Sequence, residues 1–421
     1  MRHTGGWTAV ATAEAVGVPR APAWRGGFGR LWAAAVVSKF GDSLRTAAMP
    51  LLAVSLTREP LLIAAVTACG HLPWLLFGLV GGAVADRVDQ RRAMWTVDLV
   101  RGGLMAAFAV AVALGHASIA LLIALAFVLT ALQTLFDNAA TSLLPSLVPA
   151  DALAGANARL LAGQQLAGAF LAAPLVPVLL LAGAAVPYAA DAATYLLAAL
   201  LVASLRIPAP ERAPRKGGST LRAEIAEGLR VLWRDRAQRA LCVATTLMNI
   251  GVGALIATLV LHVTDWLGAG SGGYAAVLTA YGVGSVAGGA VAARFSGRTG
   301  GTGGRIRAVL IAGLVQTGAL VALGAVRELW VAMAAMAVFG LMGMVWNVHQ
   351  VTLMQERSPA GMLGRISAAF RTLAIGGAPL GALLGGAAAA AWGANIPALL
   401  AAGLFALAVA SLAASSVRQI N

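Results

Sequence analysis

Apolar runs of about 20 residues follow one another along almost the whole chain, each long enough to cross a hydrocarbon core of about 30 Å at about 1.5 Å per helical residue. Water-soluble layers have no use for so many unbroken apolar segments, so lipid is the solvent for most of this chain. Divided at its charged clusters, the sequence yields twelve of them, at 31–56, 61–85, 93–114, 118–147, 160–182, 186–205, 240–263, 271–293, 308–326, 329–354, 372–392 and 396–416. The hydrophobic share of 60% against 11% charged residues agrees with that reading over 421 residues.

The formal net charge of +14 raises the question of a nucleic-acid partner, which the position of the charges answers. When the gaps between segments are numbered alternately, nearly all of the arginines fall on one side, and the other side receives only Arg58 and Arg327. The positive-inside rule then puts both termini in the cytoplasm of a multi-pass protein of the inner (plasma) membrane, with no nucleic acid as partner. A missed or invented span would destroy the alternation, so it also supports the even count. Trp32, Trp95, Trp266, Trp330 and Trp392 fall near segment ends, where an amphipathic ring suits the headgroup region. Cys69 and Cys242 lie in opposite halves within apolar segments and read as inert thiols rather than a disulfide or metal pair. The N-terminal tail has Glu14 and Pro19 and no apolar stretch of the kind a cleaved signal needs.

Only one interruption is long. It opens "RIPAPERAPRKGGS" and divides the chain into six spans and six spans. The expected organisation is a cytoplasmic tail at 1–30, a bundle at 31–205, a linker at 206–239, a second bundle at 240–416 and a short tail at 417–421. Within the linker, Leu221, Ile225, Leu229 and Leu232 share one helical face, which predicts a helix lying at the membrane surface. The two halves also echo each other. "GGAVADRVDQRR" from Gly81 returns as "GGAVAARFSGRT" from Gly288, and the Pro-Ala-x-x-Leu core of "VPADALAGANA" returns in "SPAGMLGRISA". Two echoes at nearly one offset indicate duplication of a six-helix unit.

"LPWLLFGLVGGAVADRVDQRR" resembles the signature turn between spans 2 and 3 of the major facilitator superfamily, and the Asp-Arg-Val-Asp wording is similar to its enterobactin-exporter-like and macrolide-efflux branch. "FDNAATSLLPSLVPADALAGANA", "EGLRVLW" and "RISAAFRTLAIGGAPLGALLGG" resemble the same branch, so that the likeness covers most of 31–416. The resemblance implies an all-α membrane protein of two pseudo-symmetric six-helix bundles that works by alternating access, without cofactor or metal and as a monomer. It also implies a cytoplasmic latch at Gly82, Asp86, Arg87 and Arg91, with arginines of the turn pairing to Asp137 in span 4. The physical sense is that an acid is favoured at a helix N-terminus and that charge pairs between rigid halves make a breakable two-state contact. The sequence departs from the pattern at Gln90, where the family usually has arginine, and in span 5, where "AFLAAPLVPVLL" keeps Pro174 without the glycines of the antiporter motif.

Charges inside a span each cost about 2.5–3.5 kcal/mol on insertion scales and persist where they face a cavity or a partner. Lys39, Asp42 and Arg45 are spaced by three and fall on one face of span 1, with Asp42 near mid-depth. An offset of 207 matches Asp42 with Asn249 of span 7, which would set two polar groups across the pseudo-two-fold axis. The competing reading is a structural triad in which Lys39 and Arg45 neutralise Asp42. His71 in span 2, and Asn347 with His349 in span 10, join the list of candidates for proton coupling or the central cavity, a packing role being the alternative for each. Asp98 and Arg101 fit an i, i+3 pair with a structural role, and Asp191 of span 6 is an intramembrane acid without an assigned partner. "GVGSVA" from Gly282 imitates a dinucleotide fingerprint but lies inside a span, where its glycines serve helix packing.

Together these features predict a secondary carrier that exports an amphipathic small molecule, such as a drug, antibiotic or siderophore-like metabolite, in exchange for protons. A proton-coupled nutrient importer is the nearest alternative. A membrane-embedded transferase is a third reading, and the sequence offers it no Asp-rich metal motif, paired histidines or nucleophile arrangement.

Overall fold

A computed structural model describes residues 27–85, 89–144, 147–149, 152–205, 221–295, 301–358 and 363–417. Every regular element among them is a helix. The first half comprises α1 (Gly27–Leu56), α2 (Pro60–Ala85), α3 (Gln90–Ala113), α4 (Ile119–Leu143), α5 (Leu153–Gln165), α6 (Ala173–Ala182) and α7 (Val186–Ala203). After α8 (Leu221–Arg234) the second half follows with α9 (Arg236–Leu261), α10 (Gly270–Phe295), α11 (Gly301–Ala325), α12 (Leu329–Arg357), α13 (Leu363–Trp392) and α14 (Ile396–Val417). Ten of these are long and apolar enough to cross a membrane. The other two spans are α1, which carries the Lys39, Asp42 and Arg45 charges, and the fifth, whose α5 and α6 are interrupted by a π-helical stretch.

The fifth span is helical throughout, as the sequence reading of 160–182 had it, but begins earlier, at Leu153. A π-helical segment, Leu166–Ala172, joins α5 to α6. Pro174 and Pro177 have no N–H to give to the carbonyls one turn earlier, so the ladder slackens there, and a π segment absorbs the slack. Gly168 within it lets the chain approach α1, since a Cβ at that position would stand 2.8 Å from the Ser43 hydroxyl. Other boundaries move outward: α13 begins at Leu363 rather than 372, and α11 at Gly301 rather than 308. Flanking polar residues continue these helices beyond the apolar stretch, because an α-helix satisfies its own backbone at either depth. The linker also ends earlier than 239, because Asp235 caps α9 by accepting from the amides of Ala237 and Gln238. The amphipathic α8 packs on α13 and α9, and leaves Leu229 and Trp233 exposed.

Within the first half α3 and α1 both pack on α7, while α2 packs on α4; within the second, α9 packs on α13 and α14, and α10 and α11 pack on α12. The halves meet mainly through α2 against α13 and α9, and through the interrupted fifth span against α10. Ala64 and Ala68 of α2, Ala257 of α9 and Ala382 of α13 form a small buried cluster between the halves. Large apolar side chains such as Leu181, Leu200 and Ile311 are left on the outer surface, as a lipid solvent permits.

Helix ends reveal the register of the duplication. Gly183 (φ 148°) ends α6 and Gly393 (φ 111°) ends α13, both in a left-handed conformation that glycine adopts without penalty. Each is followed three residues later by an apolar-Pro pair that opens the next helix, Val186-Pro187 and Ile396-Pro397. The offset is therefore 210.

Close helix contact in the second half depends on α13. A Cβ on Gly381 would lie 1.9 Å from the Ile250 carbonyl oxygen, whereas one on Gly318 of α11 would meet nothing within 4 Å. Gly381→Ala is expected to lower the thermal midpoint of the purified protein, at a cost of about 1–3 kcal/mol from forced overpacking. Gly318→Ala should leave it unchanged or raise it slightly, because alanine is the better helix former by about 0.5–1 kcal/mol. Parallel melting curves of the two variants check this.

Candidate functional site

At the middle of α1, 15 residues or about 22 Å from Gly27, Asp42 points into its own bundle rather than across to the other half. Its Oδ1 accepts from Arg45 Nη2 at 3.0 Å and from Arg101 Nη2 of α3 at 2.7 Å, and also from the Tyr195 hydroxyl of α7. Arg101 is wholly enclosed. Its Nη1 donates to Asp98 Oδ1 at 3.2 Å, its Nη2 also reaches the Tyr195 hydroxyl at 2.5 Å, and its guanidinium carbon lies 4.0 Å from the centre of the Tyr195 ring. Arg45 in turn places Nε 3.4 Å from Asp191 Oδ2 on α7. Three helices thus share a chain of five ionisable side chains, Asp191–Arg45–Asp42–Arg101–Asp98, with no member more than 9% exposed.

The local sequence explains how the cluster is held. Asp98 and Arg101 sit three apart on α3, as do Asp42 and Arg45 on α1, so each acid meets the arginine one turn on. Asp191 and Tyr195 sit four apart and project from one face of α7. Gly41 lets α1 and α7 come together at this level, since a Cβ there would fall 1.9 Å from Thr194 Oγ1 and 2.4 Å from Asp191 Oδ1. Phe108 packs edge-on against Tyr188, with ring centres 4.9 Å apart, and belongs to the core that encloses the cluster.

Several sequence expectations change here. Lys39 does not share the buried face of Asp42 and Arg45, because it is exposed. The drift of about 60° per three residues is enough to carry it off the α1–α7 contact. Asn249 is not the counterpart of Asp42. The contact of Gly41 with α7 recurs as that of Gly251 with α14, where a Cβ would lie 3.1 Å from the Phe405 ring and 3.3 Å from Ala401 Cα. The register of 210 therefore matches Asp42 with Val252, Asp191 with Ala401 and Tyr195 with Phe405, so that the charged design of the first half is apolar in the second. Asn249 bonds back to the Thr245 carbonyl, and His71 Nδ1 lies 2.8 Å from the Thr67 carbonyl. Asn347 is exposed and His349 buried on α12.

Of the latch residues, Asp86 and Arg87 lie outside the described residues, and Gly82 lies near the end of α2. Arg91 is occupied with α7: it donates to the carbonyls of Val202, at 3.4 Å, and Ala203. Arg30 of α1 donates to the Ser204 carbonyl at 2.8 Å, so two arginines from different helices satisfy the last carbonyls of α7, where a cation is favoured. Arg92 pairs with Asp89 at 3.7 Å. Asp137 accepts from Gln133 Nε2 at 2.8 Å. No group of three or more His, Cys, Asp and Glu side chains among the described residues is arranged to hold a metal ion.

A family model described as transmembrane secretion effector matches residues 18–421. No curated protein sequence matches significantly. Among solved structures, a mutant of the nucleoside transporter NupG superposes with a TM-score of 0.77 at 11% identity, covering 92% of this chain and 99% of that one. A bacterial homologue of the human lysosomal transporter Spinster, inward-facing and unoccupied, superposes at 0.72 and 14% identity, covering 93% and 96%. The POT family transporter PepTSo superposes at 0.71 and 13% identity, covering 94% and 99%. At these identities the likeness establishes the major facilitator fold.

Removing the guanidinium at the centre of the cluster leaves the buried Asp98 without its cation and Asp42 with Arg45 and Tyr195 alone. Arg101→Leu should destabilise the protein by about 3–5 kcal/mol, the usual result of breaking a buried pair on one side. Adding Asp98→Asn to that variant is expected to recover part of the loss. Thermal unfolding of the single and double variants gives the comparison, and equal midpoints would contradict the pairing.

Proposed function

We propose that this chain, which belongs to the transmembrane secretion effector family of major facilitator transporters, exports an amphipathic small molecule from the cytoplasm in exchange for protons. Membership and fold make it a multi-pass transporter. The observation that carries the coupling is the chain of five ionisable side chains between α1, α3 and α7. A buried charge is expensive and is tolerated where it is paired and serves a function, and here the ionisable groups are concentrated in one bundle while the matching positions of the other are apolar. The word secretion in the family's description supports the outward direction.

In this reading protons enter from outside, change the charge balance around Asp42, and alter which packing of the two halves is favoured. The interrupted fifth span is suited to that movement, since it touches α10 of the other half and α1 beside Ser43. The termini and the basic loops lie on the cytoplasmic side in this reading. The turn at Gly82, Asp86 and Arg87 belongs to the proposal on sequence grounds as the cytoplasmic latch. Exposed Lys39 and Asn347, with half-buried His71 and Asn249, are the polar groups this reading assigns, on sequence grounds, to a lining of otherwise small and apolar residues. Such a lining selects by shape and amphipathic character, which suits a drug-like or siderophore-like molecule.

The second reading is uptake of a nutrient, since the same fold serves a nucleoside transporter and a POT family peptide transporter whose substrates are nutrient-like. Direction separates the two. Cells that express the protein, loaded with a panel of amphipathic compounds and given an inward proton gradient, are expected to lose at least one compound faster than control cells. Asp42→Asn, at equal protein level, should reduce that loss at least tenfold. Accumulation instead of loss would establish uptake, and export insensitive to Asp42→Asn would remove the cluster from the coupling mechanism.

A further inference from the structure

Counting charges in the buried cluster exposes an imbalance. Asp42, Asp98 and Asp191 face only two cations, Arg45 and Arg101. Including the exposed Lys39 and the half-buried Asp137 of α4 leaves the same excess of one negative charge. An uncompensated charge sealed from water costs several kcal/mol, far more than holding one carboxyl in its neutral acid form.

The geometry distinguishes the three acids. Asp42 presents one oxygen to three donors, which requires the carboxylate. Asp98 accepts from Arg101 through Oδ1, although its Oδ2 has no partner. Asp191 is wholly enclosed and neither of its oxygens has a hydrogen-bond partner, while the nearest cationic nitrogen, Arg45 Nε at 3.4 Å, is likewise without a hydrogen bond. An ionised carboxylate beside a free guanidinium N–H would close that gap and make the bond. A neutral acid has much less to gain.

We infer that Asp191 is a proton-binding site, occupied by a proton in this conformation, and that its proton is the one exchanged when α1 moves on α7. Every helix packed on α7 bears on the assignment. From α1 come Arg45 and Asp42, and from α3 Asp98 and Arg101; α6 brings no titratable side chain, and α7 itself contributes Tyr188 and Tyr195. When the proton leaves Asp191 Oδ2 for water, the carboxylate formed takes the Arg45 Nε–H bond and draws Arg45 from Asp42. The movement begins at the α1–α7 contact, where Gly41 lets the two helices come close. Binding at Asp191 stands on the geometry alone. Its consequence for transport rests on the proton-coupled reading given above.

The test uses the full-length protein purified in detergent, with no substrate present. Infrared spectra at neutral pH are expected to show the C=O stretch of a protonated carboxyl in the wild type and in Asp98→Asn, and to lose it in Asp191→Asn. Because the amide is isosteric with the neutral acid, Asp191→Asn should melt close to the wild type, whereas Asp42→Asn, which replaces a true carboxylate between two arginines, should melt several degrees lower. A band that survives in Asp191→Asn, or a melting loss in that variant as large as for Asp42→Asn, would overturn the assignment. Failure of the antiport reading looks different, for then the band and the melting pattern remain while transport by the wild type proves independent of pH. If both hold, transport by Asp191→Asn should lose its pH dependence.

Discussion

A single guanidinium, that of Arg101, ties the first bundle together. Nothing of it reaches water, so its charge must be met entirely by Asp98 on its own helix, Asp42 on α1, and the hydroxyl and ring face of Tyr195 on α7. In lipid, helices gain little by hiding apolar surface from one another, and specific pairing rests on small-residue contacts and on polar groups that have no better partner elsewhere. Arg101 meets both conditions: it pulls α1, α3 and α7 to one point, and Gly41 and Gly102 let the backbones come that close. The planar fork of arginine serves three acceptors at once, which the single ammonium of a lysine would do with less definition.

The second bundle reaches the same architecture by other means. Where the first has Asp191 and Tyr195 facing Asp42, the register of 210 puts Ala401 and Phe405 facing Val252, and the contact is made by apolar packing around Gly251. Duplication therefore preserved the helix positions and the glycine close contacts while the polar content diverged. One half stands as a scaffold of small and apolar residues, and the other keeps a buried set of acids and arginines. Such asymmetry suits a carrier, because a charge change in one bundle alters the packing preference of the pair without the two halves competing for the same ion.

Much of this was legible in the sequence. The spans, the duplication and the long linker follow from apolar length, from the alternation of arginines and from the echo of the charged turn, all of which are local or periodic signals. The charges at Asp42, Arg45, Asp98, Arg101 and Asp191 also stood out, because an acid or arginine within an apolar run is costly wherever it faces. Which of them meet was not legible: α1, α3 and α7 are brought together by helix packing that no one-dimensional spacing encodes. The i, i+3 rule found Asp98 and Arg101 but gave no hint that the pair continues through Asp42 to Asp191. Tyr195 carried no signal at all until α7 was seen to face the cluster. The match of Asp42 with Asn249 failed for a related reason. An offset of 207 taken from one loop was applied to a helix, whereas the helix contacts and the glycine turns at Gly183 and Gly393 follow 210.

The interrupted fifth span connects the charge cluster to the meeting of the halves. Its π segment lies against α1 on one side, at Ser43, the residue after Asp42, and against α10 of the second bundle on the other. A rearrangement of α1 on α7 at Gly41 must therefore be felt by the π segment, whose backbone is held by a looser hydrogen-bond pattern than a regular helix because Pro174 and Pro177 donate nothing. The segment and α10 form one of the main contact regions between the bundles, another being α2 against α13 and α9. The buried acids of α1 and α7 therefore lie a short way from that contact, through Gly41, Ser43 and Gly168. In the proton-coupled reading proposed above, a change of charge at Asp191 needs no long relay to reach it, only a rearrangement of one helix contact.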